Sequence, residues 1–343
     1  MGVDLGDLVE SEEIDFADLN DKEIAIDAMN TLYQFLSIIR QRDGTPLKDS
    51  SGNITSHLSG LFYRNINLLE ENIRPVFVFD GEMPDLKEKE SSKRRKKREE
   101  AREEWKKLKE EGKVEEAYTK ATQSSKLTGD MIEESKKLLE AMGIPYIQAP
   151  SEGEAQAAFM TTEKSPGDIY AVGSQDWDCL LFGAEKMVKN LTTRKTRKTS
   201  GGGRKEISTE KIELEDALDQ LDVTREELVW MGLLMGTDFN PDGIKGIGPK
   251  TALKLVREHD TLEEILEDEK VDWESEKDPY RIVDFFMNPP VVEKDYSFES
   301  PDEERIKEIL VDEHDFSEDR VESGLEKLEK ALESRQSGLG SYM

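Results

Sequence analysis

The 343-residue sequence predicts an α/β fold on a doubly wound, mostly parallel sheet, and three observations predict it. Short apolar runs finish in acid: EIAID at Asp27, PVFVFD at Asp80 and DIYAVGSQDWD at Asp176 and Asp178. Apolar runs of that kind read as buried parallel strands. Amphipathic stretches such as NTLYQFLSIIR and SHLSGLFYRNINLLEEN lie between them, which sets a strand-helix-strand rhythm. No internal repeat interrupts it.

Along the chain, residues 83–126 break the rhythm with a strongly polar run of few core candidates, which reads as an insertion: a solvated helix or an arch-like excursion. An apolar stripe resumes over 126–142. GIPYIQAP supplies another short strand, and PSEGEAQAAFM opens a helix with Ser151 expected as its N-cap. Residues 189–205, KNLTTRKTRKTSGGGRK, are basic, Gly-rich and free of acid, and are expected to form a mobile loop. From Glu210 the pattern is helical, through TREELVWMGLLMGTDF and GIKGIGPKTALKLV. One domain is expected over 1–330. The small polar residues after about Ser334 suggest a flexible tail over 331–343 that is disordered when free.

The net charge of −29, with 36% charged residues, read as an average, argues against a polyanionic partner and points to a saline cytoplasm. Local charge reverses the first conclusion. Residues 86–109 hold twelve Lys and Arg against six Glu, a local +6, with KRRKKR at 93–98. Such a patch is the electrostatic footprint of a nucleic-acid interface; the alternatives are a solvated helix face or a localisation signal. A single cysteine, Cys179, excludes intramolecular disulfides and Cys-rich zinc sites, and a reducing compartment is the default. His57, His259 and His314 are scattered singly and are expected to be structural or superficial. No apolar run reaches the roughly 18 residues of a membrane span, and the acidic start lacks the pattern of a signal peptide. Gly6 stands where a myristoylation signal needs Ser or Thr.

In a doubly wound sheet, ligands bind beyond the carboxyl ends of the strands. Asp27, Asp80, Asp176 and Asp178 therefore converge on one cleft, joined by Glu152 and Glu154 at a helix start and Asp238 after an apolar helix. Seven acids so placed repel one another unless cations neutralise them. Oxygen-only donors with no nearby His or Cys select hard ions, Mg²⁺ or Mn²⁺ over Zn²⁺. Two such ions can activate water and stabilise the leaving oxygen of a phosphodiester. The stretch GIKGIGPKT, with Gly246, Gly248 and Lys250, superficially suggests a P-loop, but Pro249 and the lack of a preceding strand oppose that reading. A helix-hairpin-helix turn presenting backbone N–H groups to a DNA phosphate fits better, supported by Lys250, Lys254 and Arg257 at helical spacing; a plain helix-helix turn is the alternative.

AIDA around Asp27, VFVFDG around Asp80, APSEGEAQA around Glu152 and Glu154, SQDWDCLLFG around Asp176 and Asp178, and MGTDFN followed by IKGIGPKTA around Asp238 together resemble the archaeal and eukaryotic flap endonucleases, over nearly the whole chain. The resemblance implies a structure-specific 5′ flap endonuclease with 5′-3′ exonuclease activity, acting in replication and repair, with the seven acids as ligands of two Mg²⁺. It implies a helical arch for the 5′ flap over 83–126, in which Lys87 and Arg94 meet the scissile phosphate, while Lys93 and Arg95 of the basic patch are expected to bind DNA. Tyr33 matches an aromatic that stacks on a base near the cut, the alternative being a core tyrosine. The helix-hairpin-helix region falls at 210–265. At the end, Gln336, Leu339 and Tyr342 fit a sliding-clamp motif, while Met343 stands where a second aromatic is usual. The start MGVDLGDL is also similar, except that Val9 and Glu10 follow where the family has proline. A cytoplasmic, archaeal, monomeric protein acting on DNA away from membranes is implied. Two enzymatic rivals share the fold, a plain 5′-3′ exonuclease and a junction resolvase; a non-catalytic clamp-associated scaffold is a third.

Overall fold

The computed structural model describes the chain except residues 1–2, 42, 88–96, 98, 106, 109–110, 112, 114–115, 117–118, 121, 123–124, 192–195, 199–203 and 341–343, and gives backbone alone for 196–198, 204–206 and 334–340. The strands are β1 (Glu12–Ile14), β2 (Glu23–Asp27), β3 (Arg74–Phe79), β4 (Tyr146–Gln148), β5 (Ile169–Gly173), β6 (Lys186–Lys189), β7 (Thr196–Lys198), β8 (Arg204–Glu206) and β9 (Thr209–Glu213). The helices are α1 (Ala28–Ile38), α2 (Ser56–Glu70), α3 (Gly129–Ala141), α4 (Gly153–Met160), α5 (Asp178–Leu181), α6 (Leu214–Leu221), α7 (Arg225–Met235), α8 (Pro249–Glu258), α9 (Leu262–Glu267), α10 (Pro279–Met287), α11 (Glu303–Lys307) and α12 (Glu318–Gly340).

One sheet has the order β1-β9-β6-β5-β2-β3-β4. From β6 to β4 neighbouring strands are parallel, and β9 and β1 add an antiparallel edge. Successive strands run outward in both directions from the β2/β5 boundary, so that boundary is the topological switch point. Side chains alternate between two cores. Ala25, Val76, Val78, Val172 and Met187 face α4, α5, α7 and α8; Ile24, Ile26, Phe77, Phe79 and Val188 face α1, α2, α3 and α12. Burial on both faces explains why the strands read as unbroken apolar runs.

Several local expectations are corrected. Ser151 does not cap α4: its hydroxyl donates to the Glu82 carbonyl at 3.1 Å, and Glu152 takes the N-cap position. In the basic loop, β7 and β8 pair as a two-stranded antiparallel ribbon, Arg197 opposite Lys205. Strand β5 ends at Gly173, so Asp176 lies in the following turn and Asp178 opens α5. The backbone of α12 is helical to Gly340, which takes it into the segment expected as a flexible tail. Within the polar insertion, residues 99–105 are helical and exposed apart from Ala101 and the half-buried Trp105, and Lys120 pairs with Glu104 at 2.8 Å.

Candidate active site

Asp27 ends β2 and caps α1, accepting the Asn30 backbone N–H at 3.0 Å. One strand over, Asp80 follows β3 and accepts the Gly153 N–H at 2.7 Å, which ties it to the start of α4, where Glu152 and Glu154 sit. Gly153 permits that approach, because a Cβ there would lie 2.7 Å from the Asp80 carboxylate. Across the switch point, Asp178 accepts the Val3 N–H at 3.0 Å, so the N-terminal segment helps fix a residue 175 positions away. Asp238 comes from the turn after α7. The mutual influence of these groups on one another's ionisation marks them as one cluster.

Asp27, Glu152 and Asp178 are buried, Glu154, Asp176 and Asp238 partly so, and Asp80 is open to solvent. Burial pushes Asp27 up to about 7, with Asp80 adding to it; burial and then Asp176 push Asp178 up to about 7. Burial raises Glu154 well above the ordinary carboxylate range, reinforced by Asp176 and Asp27. Glu152 and Asp176 are raised in the same way, burial leading; Asp80 is solvent-accessible on one side, but the protein packed around the rest of its carboxyl group desolvates it and raises it too, with Asp238 adding to the shift. Lys87 answers part of this negative charge. Its ammonium pairs with Glu152, lies 3.1 Å from Asp238, and stands 5.2 Å from the Phe239 ring centroid. Burial alone would lower its pKa, but Glu152 and Asp238 outweigh burial and raise it.

The donor set suits hard cations, since every side chain in the cluster offers oxygen and the raised carboxyl groups mark a deficit of positive charge. With Glu152 and Asp238 turned to Lys87, no three His, Cys, Asp or Glu side chains among the described residues close tightly on a single point.

Between α7 and α8 the chain turns through Gly243 (φ +54°) and Gly246 (φ +86°), with Pro249 at the first turn of α8. Gly246, Gly248 and Lys250 are exposed, and a Cβ at Gly246 or Gly248 would meet nothing, so this backbone is open to a ligand. Arg257 departs from the expected basic face: its guanidinium donates to the Leu221 carbonyl (Nε, 3.0 Å), bracing α8 against α6. Tyr33 is half-buried on α1, between the core and surface alternatives. Lys93, Arg94, Arg95, Tyr342 and Met343 lie outside the described residues; Gln336 and Leu339 fall on the helical backbone of α12, their side chains outside the description. Unforeseen members of the site are Val3 and the pair of Lys189 with Trp177, its ammonium 4.5 Å from the ring centroid beside a cavity of about 290 Å³ that also borders Asp176 and Asn30. A backbone N–H donor carries no residue signature, so nothing in the sequence could have found Val3. His57, His259 and His314 each face a carboxylate away from the acidic cluster, in structural roles.

A sheet switch point ringed by acids is the arrangement of a metal-assisted nuclease of the XPG class: residues 3–101 match the XPG N-terminal domain and residues 143–238 the XPG I-region. Flap endonuclease 1 of Pyrococcus horikoshii is 53% identical over 100% of this chain and 98% of its own length. The solved structure of flap endonuclease-1 from Methanococcus jannaschii superposes with a TM-score of 0.76 at 42% identity, covering 97% of this chain and 100% of that one. The catalytic core of Rad2 in complex with a DNA substrate follows at 25% identity and a TM-score of 0.66, over 93% of this chain and 96% of that one. The chain belongs to the flap endonuclease 1 family. Among the described residues no helix is long and apolar enough to cross a membrane.

Proposed function

We propose that the cleft beyond β2, β3 and β5 hydrolyses the phosphodiester at the base of a 5′ flap in DNA, removing displaced strands during replication and repair, with 5′-3′ exonuclease action on related ends. The observation that supports this reading is that Asp27, Asp80, Glu152, Glu154, Asp176, Asp178 and Asp238 lie close enough at the switch point to shift one another's ionisation, with the Lys87 ammonium paired to Glu152 and Asp238 among them. In this reading the acids would hold two Mg²⁺ or Mn²⁺, which would supply an activated water and neutralise the leaving oxygen. Lys87, drawn from Glu152 and Asp238, pairs with the scissile phosphate together with Arg94. Lys93 and Arg95 hold the flap electrostatically, Tyr33 stacks on a base beside the cut, and the backbone N–H groups at Gly246 and Gly248, with Lys250, hold a duplex phosphate. The arch is residues 83–126, and the helix-hairpin-helix element lies within 210–265.

The test is cleavage of an end-labelled 5′-flap substrate beside single-strand, duplex and four-way controls, with Mg²⁺ and with EDTA. Flap-selective, EDTA-sensitive incision supports the reading; preference for the four-way junction or for the plain duplex end moves it to the resolvase or exonuclease of the same fold, and metal-independent binding without incision to a scaffold.

The tail is a clamp-binding segment in this reading, with Gln336, Leu339, Tyr342 and Met343 seated on a sliding clamp at an ordering cost that keeps affinity modest. Calorimetry should show binding that Tyr342→Ala weakens and Met343→Phe tightens; heat unchanged by Tyr342→Ala removes the idea.

A further inference from the structure

We propose that Thr237 and Asn240 are positioning residues that lock the turn carrying Asp238, so that its carboxylate, paired with Lys87 in the absence of metal, is fixed at the cleft where a divalent cation takes over from the ammonium. The proposal rests on the reading of Asp238 as a metal ligand. Asp238 belongs to neither a helix nor a strand; it lies between the end of α7 and the Gly243–Gly248 turn, where a free loop would leave it loosely aimed.

The turn is closed from within. Thr237 is fully buried, and its hydroxyl donates to Asn240 Oδ1 at 2.7 Å while accepting the Phe239 N–H at 3.1 Å. The Asn240 amide donates in turn to the Leu233 carbonyl at 2.7 Å, in the last turn of α7, where helix carbonyls lack intrahelical partners. The two side chains thus bracket Asp238 from both sides in sequence and fasten it to a rigid helix. Gly243 N–H bonds to the Asn240 carbonyl at 2.9 Å, and a Cβ at Gly243 would fall 2.4 Å from the Met235 carbonyl oxygen, so the turn closes against the helix end with no slack. Phe239 seats its ring against Phe285 and Phe286, centroids 5.0 and 5.2 Å away. Of residues 236–240, Asp238 alone keeps appreciable exposure, directed by a buried polar network with every member satisfied.

Loss of a partner that orients a metal-binding group typically costs about 10- to 100-fold in metal affinity. The experiment measures Mn²⁺ binding to the DNA-free protein by calorimetry for Thr237→Val, which keeps the shape and drops the hydroxyl, Thr237→Ser, which keeps the hydroxyl, Asn240→Ala and Asp238→Asn, each with its melting curve. Thr237→Val and Asn240→Ala should weaken Mn²⁺ by about tenfold or more, Thr237→Ser should bind as the parent does, and flap affinity in Ca²⁺ should stay within about twofold, a difference too small to count as a lost contact. If Asn240→Ala does not fold, the Val/Ser pair at Thr237 decides alone. Parental Mn²⁺ affinity in Thr237→Val, beside weakened affinity in Asp238→Asn, overturns the positioning role and leaves the ligand reading standing. Unchanged Mn²⁺ affinity in Asp238→Asn overturns the ligand reading, and the positioning role with it.

Discussion

Lys87 holds its ammonium 3.1 Å from the Asp238 carboxylate while also pairing with Glu152, so a side chain from the base of the polar insertion bridges two acids from different parts of the fold. In the proposed mechanism Lys87 exchanges these acids for the scissile phosphate when cations take up their charge. Lys87→Met retains the apolar stem and loses the charge. Single-turnover cleavage should fall about 10²-fold, as when one electrostatic stabiliser is removed from other sites, with flap affinity nearly unchanged. A parental rate in rapid-quench measurements would return Lys87 to a purely structural ion pair.

The basic patch sets binding against a whole-molecule charge of −29. Reversing Lys93, Arg94, Arg95 and Lys96 to Glu should abolish flap affinity and flatten its salt dependence, because fewer counterions are released per complex. Fluorescence anisotropy across a salt series reads both quantities, and an unchanged slope would move the DNA path away from this segment.

The parts of the fold that were legible in the sequence were those whose periodicity and chemistry agree. Apolar strands buried on two faces and stopped by Asp27 and Asp80 announced the sheet and the position of its carboxyl ends. What escaped was long-range pairing. Ser151 has the residue type of an N-cap, yet its hydroxyl is engaged by Glu82; Arg257 has the spacing of a DNA-facing residue, yet it braces the Leu221 carbonyl. The pairing of 196–198 with 204–206 was hidden because such short, charged strands carry neither period, and the Thr237–Asn240 lock because two small polar residues in a turn look like any solvent-facing loop.

His57 supplies a pH dependence away from the cleft. It is wholly buried on α2, with Nε2 3.0 Å from Glu134 on α3, and among the described residues its Nδ1 has no hydrogen-bond partner. Glu134 also approaches His314 at 3.9 Å, and His314 in turn faces Asp49 at 3.4 Å. The Nε2–H tautomer suits the neutral ring, whereas protonation would bury an unmatched Nδ1–H. Burial therefore lowers the pKa of His57 below 6.5, despite Glu134. The unfolded chain takes the proton more readily than the folded one, so this contribution to stability is complete above about 6.5 and is lost as the pH falls from there toward the folded value. The melting temperature of the parent should drop more steeply between pH 7 and pH 5, a window chosen about the ordinary histidine value, than that of His57→Gln. Parallel curves would show that His57 does not titrate with unfolding.

The separation of binding from chemistry rests on Asp178. Its carboxylate is buried, fixed by the Val3 N–H at 3.0 Å, and placed among Asp176, Glu154 and Asp238. Asp178→Asn keeps the side chain's size but takes one negative charge from the cluster, while Lys250, the Gly246–Gly248 backbone and the basic patch are untouched. Binding should survive. Two-metal hydrolysis depends on placing ions and water to well under an ångström, and a missing ligand charge both weakens an ion and misplaces the attacking water. Cleavage should fall by roughly 10²-fold or more; flap affinity should hold or rise, because one carboxylate no longer repels the phosphates. Asp80→Asn should behave alike, its tie to Gly153 weakened as well. Glu10 provides the control: exposed just before β1, its backbone N–H rather than its carboxylate bonded to Gln220, it should be silent as Glu10→Gln. Single-turnover rates and flap affinities of the three variants at one ionic strength make the comparison. If Asp178→Asn and Asp80→Asn cut at the parental rate, the seven acids are not the metal site, and the two-metal mechanism has no place in this cleft.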